Sequence, residues 1–114
     1  MTERLTSLEY AVVSKFCGQQ GLDVPNPHEF AVTFRDRNPV GFMTEISCVK
    51  PLSYSRRAYE QIPDAISLAV GTEIGFVLFF KDGLLNAIEG YSYGEEWPEP
   101  EWPVRFREGS DQTG

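Results

Sequence analysis

Histidine and cysteine are scarce in this chain: His28 is the only histidine, and Cys17 and Cys48 are the only cysteines, among 114 residues. An ordinary zinc site draws about four ligands from these residue types, so three scattered candidates with no Cys-x-x-Cys pair leave too few. The two cysteines read as small apolar side chains in a reducing compartment; a disulfide between them would require an oxidising one.

Long hydrophobic runs are missing as well. The longest, Ile74 to Phe80, holds seven residues, against the ~20 that a membrane-spanning helix needs. Glu3, Arg4 and Glu9 interrupt the N-terminus before any apolar stretch develops, so no secretory signal is recognisable. The expectation is a cytoplasmic protein with no membrane contact.

Positive charge is the third shortage, and it is local. Residues 58–104 hold nine acids and a single base, Lys81, whereas residues 1–57 hold six acids and seven bases, within a net charge of −7. Phosphate backbones are gripped by Lys and Arg, so direct nucleic-acid binding is excluded as an expectation. A basic partner steered by the acidic half fits the imbalance; an acidic surface that serves only solubility fits it too. Catalytic signatures are also missing: no nucleophile elbow, phosphate loop or metal-ligand cluster is present. The chain reads as a non-enzyme with no cofactor and no metal. The weaker enzymatic alternatives are His28 with Glu29, or Glu89 coupled to a C-terminal glutamate as an acid/base pair.

What is present fills one domain, since domains commonly hold about 100–150 residues. Internal repeats and low-complexity tracts are not among its features. Leu5 to Gln20 predicts a helix. Thr6-x-x-Glu9 is a capping box, Leu5 and Tyr10 are spaced for a hydrophobic staple, and Leu5, Leu8, Val12 and Phe16 share one face. Gly18 and Gly21 offer stops. Pro25 and Pro27 make Leu22 to Glu29 a loop. Phe30, Val32 and Phe34 alternate with Ala31, Thr33 and Arg35, the period of a half-buried strand. After a turn at Asp36 to Gly41, Phe42 to Val49 predicts a second strand, with either Phe42, Ile46 and Cys48 or Met43 and Val49 inward.

Residues 53–62 read as a short helix or an ordered loop carrying the basic pair Arg56-Arg57. Pro63 to Val70 reads as a second short helix stopped by Gly71. Ile74 to Phe80 is apolar except at Gly75 and predicts a central strand covered on both faces. Asp82-Gly83 then turns the chain into a partner strand, Leu84 to Tyr93, because tight hairpin turns need φ > 0. Gly90 within it marks a bulge or a close approach. Three prolines keep Glu95 to Pro103 out of any central strand, and residues 108–114 read as a frayed tail. The sum is an α+β domain: an N-terminal helix and short helices packed on an antiparallel sheet of four or more strands.

One stretch carries a resemblance. Ile88-Glu89-Gly90-Tyr91, Tyr93-Gly94 and Glu95-Glu96-Trp97-Pro98 follow an apolar strand and a glycine turn. Over residues 73–100 this pattern resembles a family of small bacterial immunity proteins that accompany polymorphic toxins, including those of contact-dependent growth inhibition. The resemblance implies a protein that binds and neutralises a cognate toxin domain in the cytoplasm of the producing cell. Many such toxins are nucleases with basic clefts, which an acidic inhibitor complements. Glu95, Glu96, Glu99 and Glu101 would then attract the partner and form a polar rim. Tyr93, Trp97 or Trp102 would anchor it, since aromatic side chains dominate interface hot spots; packing of the two tryptophans on the sheet is the competing role. Glu89 stands evenly between a binding carboxylate and an internal hydrogen-bond partner. An acidic regulator or DNA mimic directed at another basic protein shares the charge argument.

Overall fold

The computed structural model describes residues 4–48, 52 and 57–107. The N-terminal helix α1 (Ser7–Gln20) starts at the predicted capping box. Thr6 Oγ1 accepts from Glu9 N at 3.0 Å, and Glu9 Oε1 accepts from Thr6 N at 2.8 Å. The helix runs through Gly18 and ends at Gly21, whose φ of 70° is the left-handed cap that glycine adopts without strain. A single 3₁₀ turn, Pro27–Glu29, interrupts the expected loop before the first strand.

Six strands follow: β1 (Phe30–Asn38), β2 (Gly41–Cys48), β3 (Tyr59–Ser67), β4 (Glu73–Lys81), β5 (Leu84–Ser92) and β6 (Val104–Phe106). All pairs are antiparallel, in the order β1-β2-β5-β4-β3-β6. The β4–β5 hairpin closes with Lys81 opposite Leu84. Asp82 and Gly83 both take positive φ, 53° and 80°, as a two-residue turn matched to strand twist requires.

Two sequence expectations are corrected here. The helix expected over Pro63 to Val70, and the short helix or ordered loop expected over residues 53–62, give way to β3 across Tyr59–Ser67, with a turn over residues 68–70; residues 53–56 and the fraying expected of 108–114 lie outside the described residues. Pro63 is tolerated because the β3–β4 register shifts between Ile62 and Ala65, and a bulge needs no amide donor there. Burial of Ile62 and Ala65 against the core outweighs the local helix-start signal.

The second correction concerns β1. Its register on β2 shifts between Val32 and Phe34, which leaves Thr33 as an extra residue. One inserted residue exchanges the faces of everything beyond it. Phe34, expected beside Phe30 and Val32, is 54% exposed instead, and Arg35 turns inward. There it meets Glu9, which is 1% exposed. Glu9 Oε1 accepts from Arg35 Nη2 at 2.6 Å, and Oε2 accepts from Thr44 Oγ1 at 2.6 Å and Arg35 Nε at 3.2 Å. The capping glutamate thus also ties α1 to β1 and β2, and its buried charge is paired and saturated with donors.

On β2 the inward set is Phe42, Thr44 and Ile46; Val49 lies outside the described residues. Together with Leu8, Val12 and Phe16 of α1, and Ile74, Phe76, Leu78 and Phe80 of β4, they form one core on one side of the sheet. Phe16 and Phe80 meet with ring centroids 5.5 Å apart. Cys17 is buried in this core, and no disulfide joins it to Cys48.

Candidate binding surface

The segment after β5 crosses the helix side of the sheet and closes the end of the core that α1 leaves open. Trp97 is its pin. The indole lies edge-on to Phe42 at 5.3 Å and to Phe76 at 6.4 Å, and its backbone N donates to Pro39 O at 2.8 Å. Gly90 makes room for it. A Cβ there would fall 2.4 Å from a Phe42 ring atom and 2.9 Å from the Trp97 ring. The expected close approach is therefore real, whereas the expected bulge is not, since Gly90 pairs in register with both Phe42 and Phe76.

Around this pin the predicted residues separate by environment. Glu101 is half-buried, accepting from Trp97 Nε1 at 2.9 Å and standing 3.6 Å from Arg37 Nη1. Glu95, Glu96 and Glu99 are exposed, and Trp102 is 42% exposed. Trp97 and Glu101 hold the segment in place, while Glu95, Glu96, Glu99 and Trp102 face solvent. Pro103 O then accepts from Leu68 N, and the chain joins the sheet as β6 beside β3.

Glu89 and Tyr93 belong to the opposite face. Side chains alternate along β5, so Ala87, Glu89, Tyr91 and Tyr93 point away from the face that carries Ile88, Gly90 and Trp97. The strand registers extend that set into cross-strand rows. The first is Phe34, Glu45, Ala87, Phe79 and Tyr59; the second is Asp36, Met43, Glu89, Val77 and Gln61. The third passes through Asn38, Gly41, Tyr91 and Gly75. Tyr91 lies over Gly75, where a Cβ would come within 2.6 Å of its ring, and its hydroxyl accepts from Gln61 Nε2. Tyr93 stands edge-on to Tyr91 at 5.5 Å and donates to Asp64 Oδ1 at 2.8 Å. Partial desolvation, followed by that hydrogen bond, raises the Tyr93 phenol above its ordinary pKa, so it stays neutral at physiological pH.

The apolar members of these rows lie outside the core cluster, and among the described residues no element covers them. Phe34 and Tyr59 are 54% and 58% exposed, and Met43, Val77 and Phe79 are half-buried. This corrects the expectation that β4 is covered on both faces. The sequence held one signal of it: β4 is apolar at alternate positions on both sides, yet α1 is the only long helix available to cover them.

The residues of the enzymatic alternatives are dispersed. His28 is exposed on the 3₁₀ turn, and Glu29 caps that turn by accepting from Asn26 N at 2.9 Å. Glu89 and the Trp97–Glu101 pair stand on opposite faces of the sheet. Arg57, from the basic pair, is exposed and 3.6 Å from Glu60; Arg56 lies outside the described residues. Among the described residues no group of three His, Cys, Asp or Glu side chains is placed to hold a metal, and no helix is long and apolar enough to cross a membrane.

No protein-family model, curated protein or solved structure matches this chain.

Proposed function

We propose that this is an immunity protein, which binds a cognate toxin domain with a basic surface and holds it inactive in the cytoplasm of the cell that makes both. One observation carries the reading. Glu95, Glu96 and Glu99 are displayed to solvent beside the exposed Trp102, on a segment pinned to the body by Trp97, within a stretch whose only base is Lys81. Exposed carboxylates on a fixed support attract a basic partner over distance. A nuclease, whose active cleft is basic in order to receive phosphates, is the partner chemistry that suits it best.

The test is to mix the protein with the toxin domain encoded beside its gene. The expected result is a stable complex, with growth restored when the two are co-expressed. Association should slow as ionic strength rises, because long-range attraction is screened beyond about 10 Å at 0.1 M salt. Absence of both a complex and protection would remove the reading.

A further inference from the structure

We infer that the uncovered face of the sheet is the surface on which the toxin domain docks, with the tail carboxylates acting at longer range outside it. The inference rests on the immunity reading and names the contact face, which that reading leaves open.

Two properties of the face argue for it. First, it displays aromatic side chains where folding does not need them. Phe34 and Tyr59 are more than half exposed at opposite ends of one cross-strand row, and Phe79 lies between them. Phe79 and Tyr59 are neighbours, and Glu45 and Ala87 separate them from Phe34; aromatic surface left exposed in this way on a small domain marks an interaction site. Second, its central rows are acidic. Asp36, Glu45 and Glu89 are distributed through the first two rows, and no Lys or Arg occupies any position of the three; the bases on this side, Lys81 beyond Phe79 and Arg105 opposite Ile66, stand outside those rows.

That charge selects the occupant. A second copy docked face to face would press these carboxylates towards one another, in a chain that already carries −7; like charges brought together in an interface are unfavourable. A partner with an apolar patch bordered by Lys or Arg satisfies both properties. Glu45 and Glu89 sit in adjacent rows on neighbouring strands, Glu45 on β2 and Glu89 on β5. They can therefore meet basic side chains between the exposed aromatics of the two ends, where charge pairs are most shielded from solvent.

The experiment uses the intact protein and the toxin domain encoded beside its gene. Affinity is measured for wild type, for the double variant Phe34→Ser/Tyr59→Ser, for Glu45→Lys/Glu89→Lys, and for the tail variant Glu95→Lys/Glu96→Lys/Glu99→Lys. Thermal melting of each reports folding, and the Met43 methyl resonance of labelled protein reports occupancy of the face directly. The expected result is affinity at least about 30-fold weaker for both face variants, the scale of a hot-spot loss. Melting should be nearly unchanged, and the Met43 methyl of the wild type should shift on adding toxin. The tail variant should lose chiefly association rate.

Wild-type affinity in both face variants, with binding lost in the tail variant, would overturn the docking face and leave the immunity reading standing. So would a wild-type dimer in sedimentation that Phe34→Ser/Tyr59→Ser disperses, since the occupant would then be a second copy. Failure of the wild type to bind the toxin at all would remove the immunity reading and this inference with it.

Discussion

The two faces of the sheet are built from the same strands and put their side chains to different uses. On the helix side, every large apolar group of β4 is enclosed and the buried acid Glu9 has its acceptors filled. On the other side, aromatic groups and carboxylates of similar size stand open to solvent. A side chain on the first face serves stability, because removing it opens a cavity or strands a charge. A side chain on the second contributes little to the folded monomer and is free to serve recognition. Substitutions matched across the sheet separate these roles.

The largest effect is expected at Glu9. Glu9→Ala removes the carboxylate half of the capping box, which accepts from Thr6 N, and leaves the Arg35 guanidinium, whose side chain is 13% exposed, without its buried partner. Breaking such a pair costs roughly 3–5 kcal/mol, measurable as a lowered denaturation midpoint. A loss below about 1 kcal/mol would mean that water reaches the pair and that the covered face is less closed than its geometry indicates.

Two glycines give a paired comparison. Gly90→Ala places its Cβ among enclosed rings of Phe42 and Trp97 and should cost about 1–3 kcal/mol by overpacking. Gly75→Ala meets only the outer end of the Tyr91 ring, on the open face, where the ring can swing towards solvent. Its cost should be smaller by denaturant titration; equal costs would show that Tyr91 is held as firmly as the core.

Core burial should also appear in the pH profile. Burial first, and then the charge of Asp23, push the Cys17 thiol up from 9.0 to about 11. The folded state therefore keeps this proton at a pH where the unfolded chain has lost it. The associated stability is complete below about pH 9 and is lost as pH rises through about 11. Cys17→Ala should lower the baseline stability but remove that part of the alkaline decline, as seen by comparing denaturation midpoints of the two proteins across the window.

The smallest effect belongs to the open face. Phe34→Ser and Tyr59→Ser should each change stability by within about 0.5 kcal/mol, since neither ring is enclosed. A loss of 2 kcal/mol or more on denaturation would show that these rings support the fold, and the contrast between the two faces would fail.

Legibility in the sequence followed the range of the forces involved. The capping box, the Asp-Gly turn and the two hairpins are encoded within a few residues and could be read directly. Trp97 was legible as an aromatic but not as a pin, because the Phe42 and Phe76 rings that receive it come from two other strands. Glu89 and Tyr93 were legible as chemistry, but not as residents of a different face from Trp97. The helix expected after Pro63 was a local signal overridden by β4 and β6 on either side of β3.

The α+β class, the antiparallel hairpins, the acidic C-terminal half and the start of the helix follow from the order of residues alone, because caps, turns and alternation act over short stretches of chain. Which face each side chain occupies does not. A one-residue bulge at Thr33, visible only in the register of β1 on β2, sends Arg35 inward to Glu9 and Phe34 outward. The uncovered face is likewise a result of assembly. Among the described residues, one 14-residue helix and one pinned tail cover a single side of a six-stranded sheet, and apolar residues of the other side such as Phe34 and Tyr59 are left exposed.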